Sequence, residues 1–109
     1  MATIFKNKVV KDVGALPIVA IETDSATRAT IIGLSLANLT ANAVNASVLV
    51  SDDTSVTGYF MKEVMIPANT SLRALSAGEK LILAPTNQLL IQADQDDSLD
   101  AVISYVDIV

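Results

Sequence analysis

The stretch Ala29-Thr-Ile-Ile-Gly-Leu-Ser-Leu-Ala-Asn38 decides the fold class of this 109-residue chain. From Ile32 to Leu36 every second residue is a large aliphatic one, and the residues between them are small. A two-residue period is that of a β-strand with one buried face. The same period returns in Val44–Val50. We therefore predict two neighbouring strands that pair antiparallel, with Ile32 on the buried face of the first.

Short apolar runs separated by turn-forming clusters continue along the rest of the chain. Further strands are predicted over Ile18–Glu22, Tyr59–Ile66, Leu72–Leu75, Leu81–Leu83, Leu89–Ala93 and Leu99–Val109. Helical spacing of apolar residues is never sustained over three turns without a Gly, a Pro or a β-branched run. Many short strands with short connections predict an all-β fold, namely an antiparallel β-sandwich or jelly-roll-like single domain.

The strand Tyr59–Ile66 has apolar residues on both of its faces. Its core-facing set is predicted to be Phe60, Val64 and Ile66. Its outward set is then Tyr59, Met61 and Met65. Because an exposed apolar strip often marks an interaction surface, the outward set is predicted to bind a partner. A slip of one residue would instead turn this set inward.

The first 16 residues differ from the rest in pattern. Three lysines interrupt the apolar positions, and the segment Val13–Pro17 breaks the strand signal before a proline that could not donate to a central ladder. We predict an extended N-terminal arm over residues 1–16, followed by a β-sandwich domain over residues 17–109. The arm residues predicted to bind a partner are Phe5, Lys6, Lys8 and Lys11. Such a basic arm could reach an acidic patch on a neighbour, or it could simply be solvated.

Residue types that carry most chemistry are missing, because the chain has no His, Cys or Trp. The absence of cysteine removes disulfides, thiolate catalysis and Cys-based metal sites. The acidic run Asp94–Asp100 has oxygen ligands suited to Ca²⁺, but Leu99 and Tyr105 stand where an EF-hand loop needs Gly and Glu. A solvated turn is favoured over a weak Ca²⁺ site. We predict no catalytic residues, no metal site and no cofactor.

The charge balance bears on partners. A net charge of −5 argues against a nucleic-acid partner, since binding to phosphates rests on clustered Lys and Arg. No signal-peptide core and no apolar run of roughly 18 residues is present, so a soluble protein made in a cytoplasm, without a membrane partner, is expected. Three Asn-x-Ser/Thr triplets begin at Asn38, Asn45 and Asn69, and they are interpreted as turns.

Five segments carry a resemblance to a known class of proteins. They are Thr30–Asn38, Val48–Asp53, Ile66–Ser71, Lys80–Leu83 and Ser98–Tyr105. In this order of strands and turns, residues 29–109 resemble small virion proteins of tailed bacteriophages, which are one-domain β-sandwich or jelly-roll proteins. That class includes head decoration (cement) proteins and tail or neck accessory proteins. The resemblance implies a structural role in the virion and supplies no catalytic residues.

The sequence therefore predicts a virion structural protein, most specifically a capsid decoration protein that bridges neighbouring capsomers. Its predicted partners are the major capsid protein or another virion protein, together with sister copies in a trimer or dimer, after assembly in the host cytoplasm. One alternative is a tail, neck or fibre-associated virion protein. An alternative of another class is a carbohydrate-binding module, although the chain offers few aromatic platforms for a sugar.

Overall fold

A computed structural model describes residues 2–75 and 78–109, which form nine β-strands and no helix. In chain order these are β1 (Thr3–Val13), β2 (Ile18–Glu22), β3 (Arg28–Asn38), β4 (Val44–Ser51), β5 (Thr57–Ile66), β6 (Ser71–Arg73), β7 (Leu81–Leu83), β8 (Gln88–Ala93) and β9 (Leu99–Ile108). Within this described part, nothing forms a helix that could cross a membrane.

The strands form two antiparallel sheets around one core. The larger sheet has the order β1-β9-β3-β6, with β7 also paired to β3, and the smaller sheet has the order β2-β8-β4-β5. Antiparallel pairing joins β1 with β9, β2 with β8, β3 with β6 and β7, and β4 with β5. The chain therefore forms one long antiparallel hairpin, which is wrapped into the two sheets. The ladders β3 with β9 and β4 with β8 complete the sheets. This wrapping is that of a jelly roll, so the predicted all-β sandwich is confirmed.

The predicted pairing of β3 with β4 is wrong. β3 pairs with β6, β7 and β9, whereas β4 pairs with β5 and β8 in the other sheet. The loop between them therefore crosses from one layer to the other. Alternation identifies a strand with one buried face, but it carries no information about which strand lies beside it.

The core lies between the inner faces of the two sheets. The largest fully buried aliphatic side chains are Ile31, Leu36, Ile66, Leu83, Leu89, Ile91, Leu99 and Ile103. The register of β3 against β9 shifts between Ile31 and Gly33, which is the mark of a β-bulge. The bulge reverses the alternation, so Ile31 is buried and Ile32 is 43% exposed, contrary to the prediction for Ile32.

The segment predicted as an arm is extended, but it does not leave the body of the protein. β1 pairs with β9 from Thr3 to Val13, and its last positions, Val10 and Val13, are buried in the core. Beyond the strand, the amide and carbonyl groups of Ala2 bond those of Val109 at 2.8 and 3.0 Å. The arm prediction is corrected in this respect: lysines interrupt the apolar pattern because β1 is an edge strand, and an edge strand with few buried positions needs few apolar residues.

One buried amide joins the loops at one end of the sandwich. Asn38 donates from Nδ2 to the carbonyls of Asn42, Ile66 and Pro67 at 2.8, 3.0 and 3.2 Å. Its Oδ1 accepts from the N–H and the hydroxyl of Thr40, both at 2.8 Å. Asn38 heads one of the Asn-x-Ser/Thr triplets, and its side chain, fully engaged at 4% exposure, fastens the turn that the sequence indicated.

Candidate interaction surfaces

The residues predicted on the first segment lie on both faces of β1. Phe5 is 77% exposed and points away from the core, on the outer face of the larger sheet. Lys8 and Lys11 are also exposed. Lys6 differs, because its Nζ lies 2.9 Å from Oδ2 of Asp107. That carboxylate accepts a hydrogen bond from Lys6 and raises the pKa of the ammonium group.

Two bulges in β5 change the predicted faces of that strand. At the first bulge, both Lys62 and Glu63 lie opposite Ser47 of β4. At the second, Phe60 is the extra residue, because Val48 pairs with Met61 and the next residue, Leu49, pairs with Tyr59. The N–H of Glu63 donates to Oγ of Ser47 at 2.9 Å, and Glu63 has a φ of 48°. Each bulge shifts the alternation by one residue.

The predicted faces of β5 are therefore partly wrong. Met61, predicted outward, packs against the core, and Phe60, predicted inward, is 39% exposed. Tyr59 and Met65 do face outward, at 53% and 61% exposure, and Ile66 is buried as predicted. The outward apolar set of β5 is thus Tyr59, Phe60 and Met65.

Both outer faces of the sandwich carry apolar side chains. On the larger sheet, Val9 lies directly opposite Val102, and Phe5 lies opposite Val106. The remaining exposed apolar residues of this sheet's outer side include Ile32 and Ile82. We call this set the β1 face: Phe5, Val9, Ile32, Ile82, Val102 and Val106. The sequence prediction missed most of it, although the alternation of apolar residues at positions 5 and 9 in β1 was a usable signal.

On the smaller sheet, four aligned residues form an apolar row across every strand. Val19 pairs with Leu90, Leu90 with Leu49, and Leu49 with Tyr59. We call this row, together with Phe60, the β5 face: Val19, Leu49, Leu90, Tyr59 and Phe60. Because the two faces belong to different sheets, the predicted site residues do not converge on one patch. They mark opposite sides of the protein.

Carboxylates of the acidic run Asp94–Asp100 accept hydrogen bonds from backbone N–H groups. An oxygen of Asp94 accepts from the N–H of Asn45 at 3.0 Å, one of Asp96 from Ala15 at 3.2 Å, and one of Asp100 from Asp12 at 3.0 Å. Among the described residues, no three His, Cys, Asp or Glu side chains are grouped to hold a metal ion.

Two other carboxylates close turns. The hydroxyl of Thr27 and the N–H of Ala26 lower the pKa of Asp24 by donating hydrogen bonds to it. The hydroxyl of Thr54 and the N–H of Thr54 do the same for the pKa of Asp52. Both carboxylates are fully exposed, so these shifts report local turn structure and give no sign of a catalytic group.

Comparisons with known proteins find the same type of fold in solved structures. No protein-family model matches the chain, and no curated protein matches it. Several solved structures resemble it at low identity, among them one from a bacterial appendage and two from virus particles. A chain of Bacillus endospore appendages, which form a family of disulfide-linked pili, has 6% identity and a TM-score of 0.57, over 96% of this chain and 86% of that one. A chain of the infectious bursal disease virus particle has 9% identity and a TM-score of 0.55, over 96% of this chain and 30% of that one.

The third structure is the acid-stable capsid of Helicobacter pylori bacteriophage KHP30. One of its chains has 9% identity and a TM-score of 0.54, over 100% of this chain and 89% of that one. The coverage shows that these two chains are of similar length. At identities this low the likeness concerns the fold, so this chain has a β-sandwich of the kind found in viral capsids and in pili.

Proposed function

We propose that this protein is a structural component of a virus particle, and specifically a bacteriophage capsid decoration (cement) protein that bridges neighbouring capsomers. The observation that carries the proposal is the pair of exposed apolar faces on opposite sides of one small jelly roll. A soluble monomer rarely leaves large apolar patches uncovered. A protein that bridges two neighbours needs two separate contact surfaces, and the β1 face and the β5 face supply them.

The fold comparisons support the same proposal. A chain of similar length and fold is present in a bacteriophage capsid. The partners are then the major capsid protein or another virion protein, together with sister copies in a trimer or dimer. Many modest contacts repeated over a shell reinforce one another, so each copy needs only a small interface. The net charge of −5 fits a protein partner better than a nucleic acid.

The residues assigned to these contacts follow from their exposure. Phe5, Lys8 and Lys11 contact a partner from β1, and Tyr59 and Met65 do so from β5. The two other predicted residues act at a distance from the partner. Lys6 is held at the edge by Asp107, and Met61 supports the β5 face from the core side.

The test is size-exclusion chromatography with light scattering on the purified protein, with and without heads of the virus that encodes it. We expect a discrete oligomer that elutes with heads in hundreds of copies. Phe5→Ala should weaken head binding by at least about tenfold without destabilising the free protein, because this ring is exposed and its burial is worth about 1.5–3 kcal/mol.

The matched control is Leu16→Ala, which removes another apolar side chain, 83% exposed, from the loop between β1 and β2. It lies on neither face and should leave binding unchanged. A protein that ignores heads, or a Phe5→Ala variant that binds them as well as the parent does, would contradict the proposal.

A second candidate is a tail, neck or fibre-associated virion protein. It is favoured by the likeness to a pilus chain of similar length, because the same sandwich there builds a filament. Copy number separates the two roles, since a neck or tail-tip part would be present in about a dozen copies. The alternative of another class is a carbohydrate-binding module, for which Tyr59 is one of the few aromatic platforms, and Nζ of Lys62 lies 5.2 Å from the centroid of its ring. Binding to a glycan array would separate it from the virion roles.

A further inference from the structure

The long edge of the larger sheet is open. β1 pairs with β9 along one side, and along its other side no strand is present in the described chain. Every residue from Thr3 to Val9 is exposed. An edge of this length with unpaired N–H and C=O groups is a template for another strand.

The side chains of this edge alternate in chemistry. Phe5 and Val9 point to the outer face of the sheet, whereas Lys6 and Lys8 point to the other side. A strand laid beside β1 would therefore meet apolar groups on one of its faces and ammonium groups on the other. Its own residues would match best if apolar side chains alternated with carboxylates.

A second copy of β1 fits the middle of this edge poorly. Two copies related by a twofold axis can pair antiparallel in several registers, and three of them are centred on Lys6, Asn7 or Lys8. These three place Lys6 opposite Lys6, Lys6 opposite Lys8, or Lys8 opposite Lys8. Like charges directly opposite each other destabilise a strand pair, so these central registers are disfavoured.

Other strands of a second copy fit no better. None of the nine strands has two carboxylates two residues apart. β5, the edge of the smaller sheet, is interrupted by its two bulges, which break the regular ladder an added strand would need. A segment of a different protein, with alternating carboxylates, therefore matches this edge better than any strand of this chain.

We propose that the free edge of β1 receives, by strand addition, an extended segment of another virion protein in which carboxylates alternate with apolar residues. This inference rests on the proposed function, because it names the chemistry of the partner that the β1 side would bind. Main-chain hydrogen bonds give the contact its strength, and Lys8 selects the acidic partner, because the ammonium group of Lys6 is already paired with Asp107.

The experiment uses a peptide with fluorescein on its N-terminal amine, fluorescein-Thr-Glu-Val-Glu-Val-Glu-Val-Thr-amide, and measures anisotropy against increasing concentrations of the full-length protein. Two further peptides serve as controls. In one, lysine replaces each glutamate. In the other, proline replaces each valine, which keeps the charge but removes the donors a ladder needs. We expect saturable binding of the first peptide only, weakened by added salt.

Charge reversal in the protein completes the test. Lys8→Glu should weaken binding of the acidic peptide by roughly fivefold and give measurable binding of the lysine peptide. Lys80→Glu, which reverses an exposed charge away from β1, should change neither. An unchanged melting temperature confirms that both variants fold.

Three results would overturn the inference. They are no saturable binding of the acidic peptide, equal binding of the proline peptide, and an unaltered affinity in Lys8→Glu. Any of them would mean that the lysines of β1 only prevent edge-to-edge aggregation and do not recognise a partner. If the protein binds heads but not the peptide, strand addition fails while the proposed function stands. If it binds the peptide but not heads, the proposed function fails.

Discussion

Replacing Asn38 by alanine should cost the protein a large part of its stability. The amide group has two hydrogens on Nδ2 but three carbonyl acceptors within 3.2 Å, so one hydrogen is shared between two acceptors. With the two bonds that Oδ1 accepts from Thr40, the side chain makes about four hydrogen bonds. At a net ~0.5–1.5 kcal/mol each, reduced where the freed partner can reach water, the loss is about 2–4 kcal/mol.

The size of this loss follows from where the acceptors lie. Ile66 is 1% exposed, so its carbonyl loses the bond from Asn38 without gaining one from bulk water when the amide is removed. Asn42 is exposed and can bond water instead. A domain of this size has roughly 5–15 kcal/mol of total stability. The expected drop in melting temperature is therefore roughly 10–20 °C.

The assay is urea unfolding followed by far-ultraviolet circular dichroism, with the dependence on urea concentration fitted for both proteins. Asn7→Ala is the matched control, because it removes an exposed asparagine whose side chain has no hydrogen bond among the described residues. It should change the free energy of unfolding by less than about 0.5 kcal/mol. A loss in Asn38→Ala no larger than in this control would refute the view that the buried amide joins the loops.

Three further predictions concern other parts of the structure. First, Asn7→Cys together with Ser104→Cys, at positions directly opposite on β1 and β9, should oxidise within one chain, and covalent oligomers on a non-reducing gel would show that β1 pairs with a neighbour. Second, Gly14→Ala should destabilise by about 1–2 kcal/mol, because its Cβ would lie 3.0 Å from Oδ1 of Asp96, whereas Gly58→Ala meets no atom within 4 Å and should be neutral; equal melting temperatures would contradict this. Third, the lowered pKa of Asp52 means that its contribution is present above the unfolded carboxyl pKa of about 3.9 and is lost as the pH falls through the folded value. The melting temperature of Asp52→Asn should consequently fall less than that of the parent below about pH 4, and parallel profiles would show that the carboxylate contributes nothing.

The sequence predicts most strands of this fold because hydrophobic alternation and turn residues are local signals. Ile18–Glu22 and Leu81–Leu83 are found with the predicted boundaries. Asn69 adopts a φ of 54°, in the left-handed region that favours glycine and that asparagine tolerates. What the sequence did not reveal is non-local. The partners of β3 depend on a loop that crosses between sheets, and β1 is recognised as a strand only once β9 is beside it.

The site could be predicted less well than the fold. The exposure of Phe5, Tyr59 and Met65 agrees with the alternation used for the prediction. Met61 packs against the core because of the bulges in β5, and no residue type in that strand indicates a bulge. The ion pair of Lys6 with Asp107 joins residues from the two ends of the chain, which only the pairing of β1 with β9 brings together. The apolar row of the β5 face is assembled from four strands, so it is visible only when their registers are known.

The position of β9 between β1 and β3 affects how the protein can fold during synthesis. A ribosome releases β1 and β3 long before β9, yet each of them pairs with β9 and neither pairs with the other. β1 therefore has no partner in its own chain until residues 99–108 have emerged. Pairing of strands so distant in sequence is slow, on the order of milliseconds to seconds. The larger sheet can then be completed only after β9 has been made, and until that point the lysines of β1 disfavour the pairing of nascent copies in which lysines would lie opposite each other.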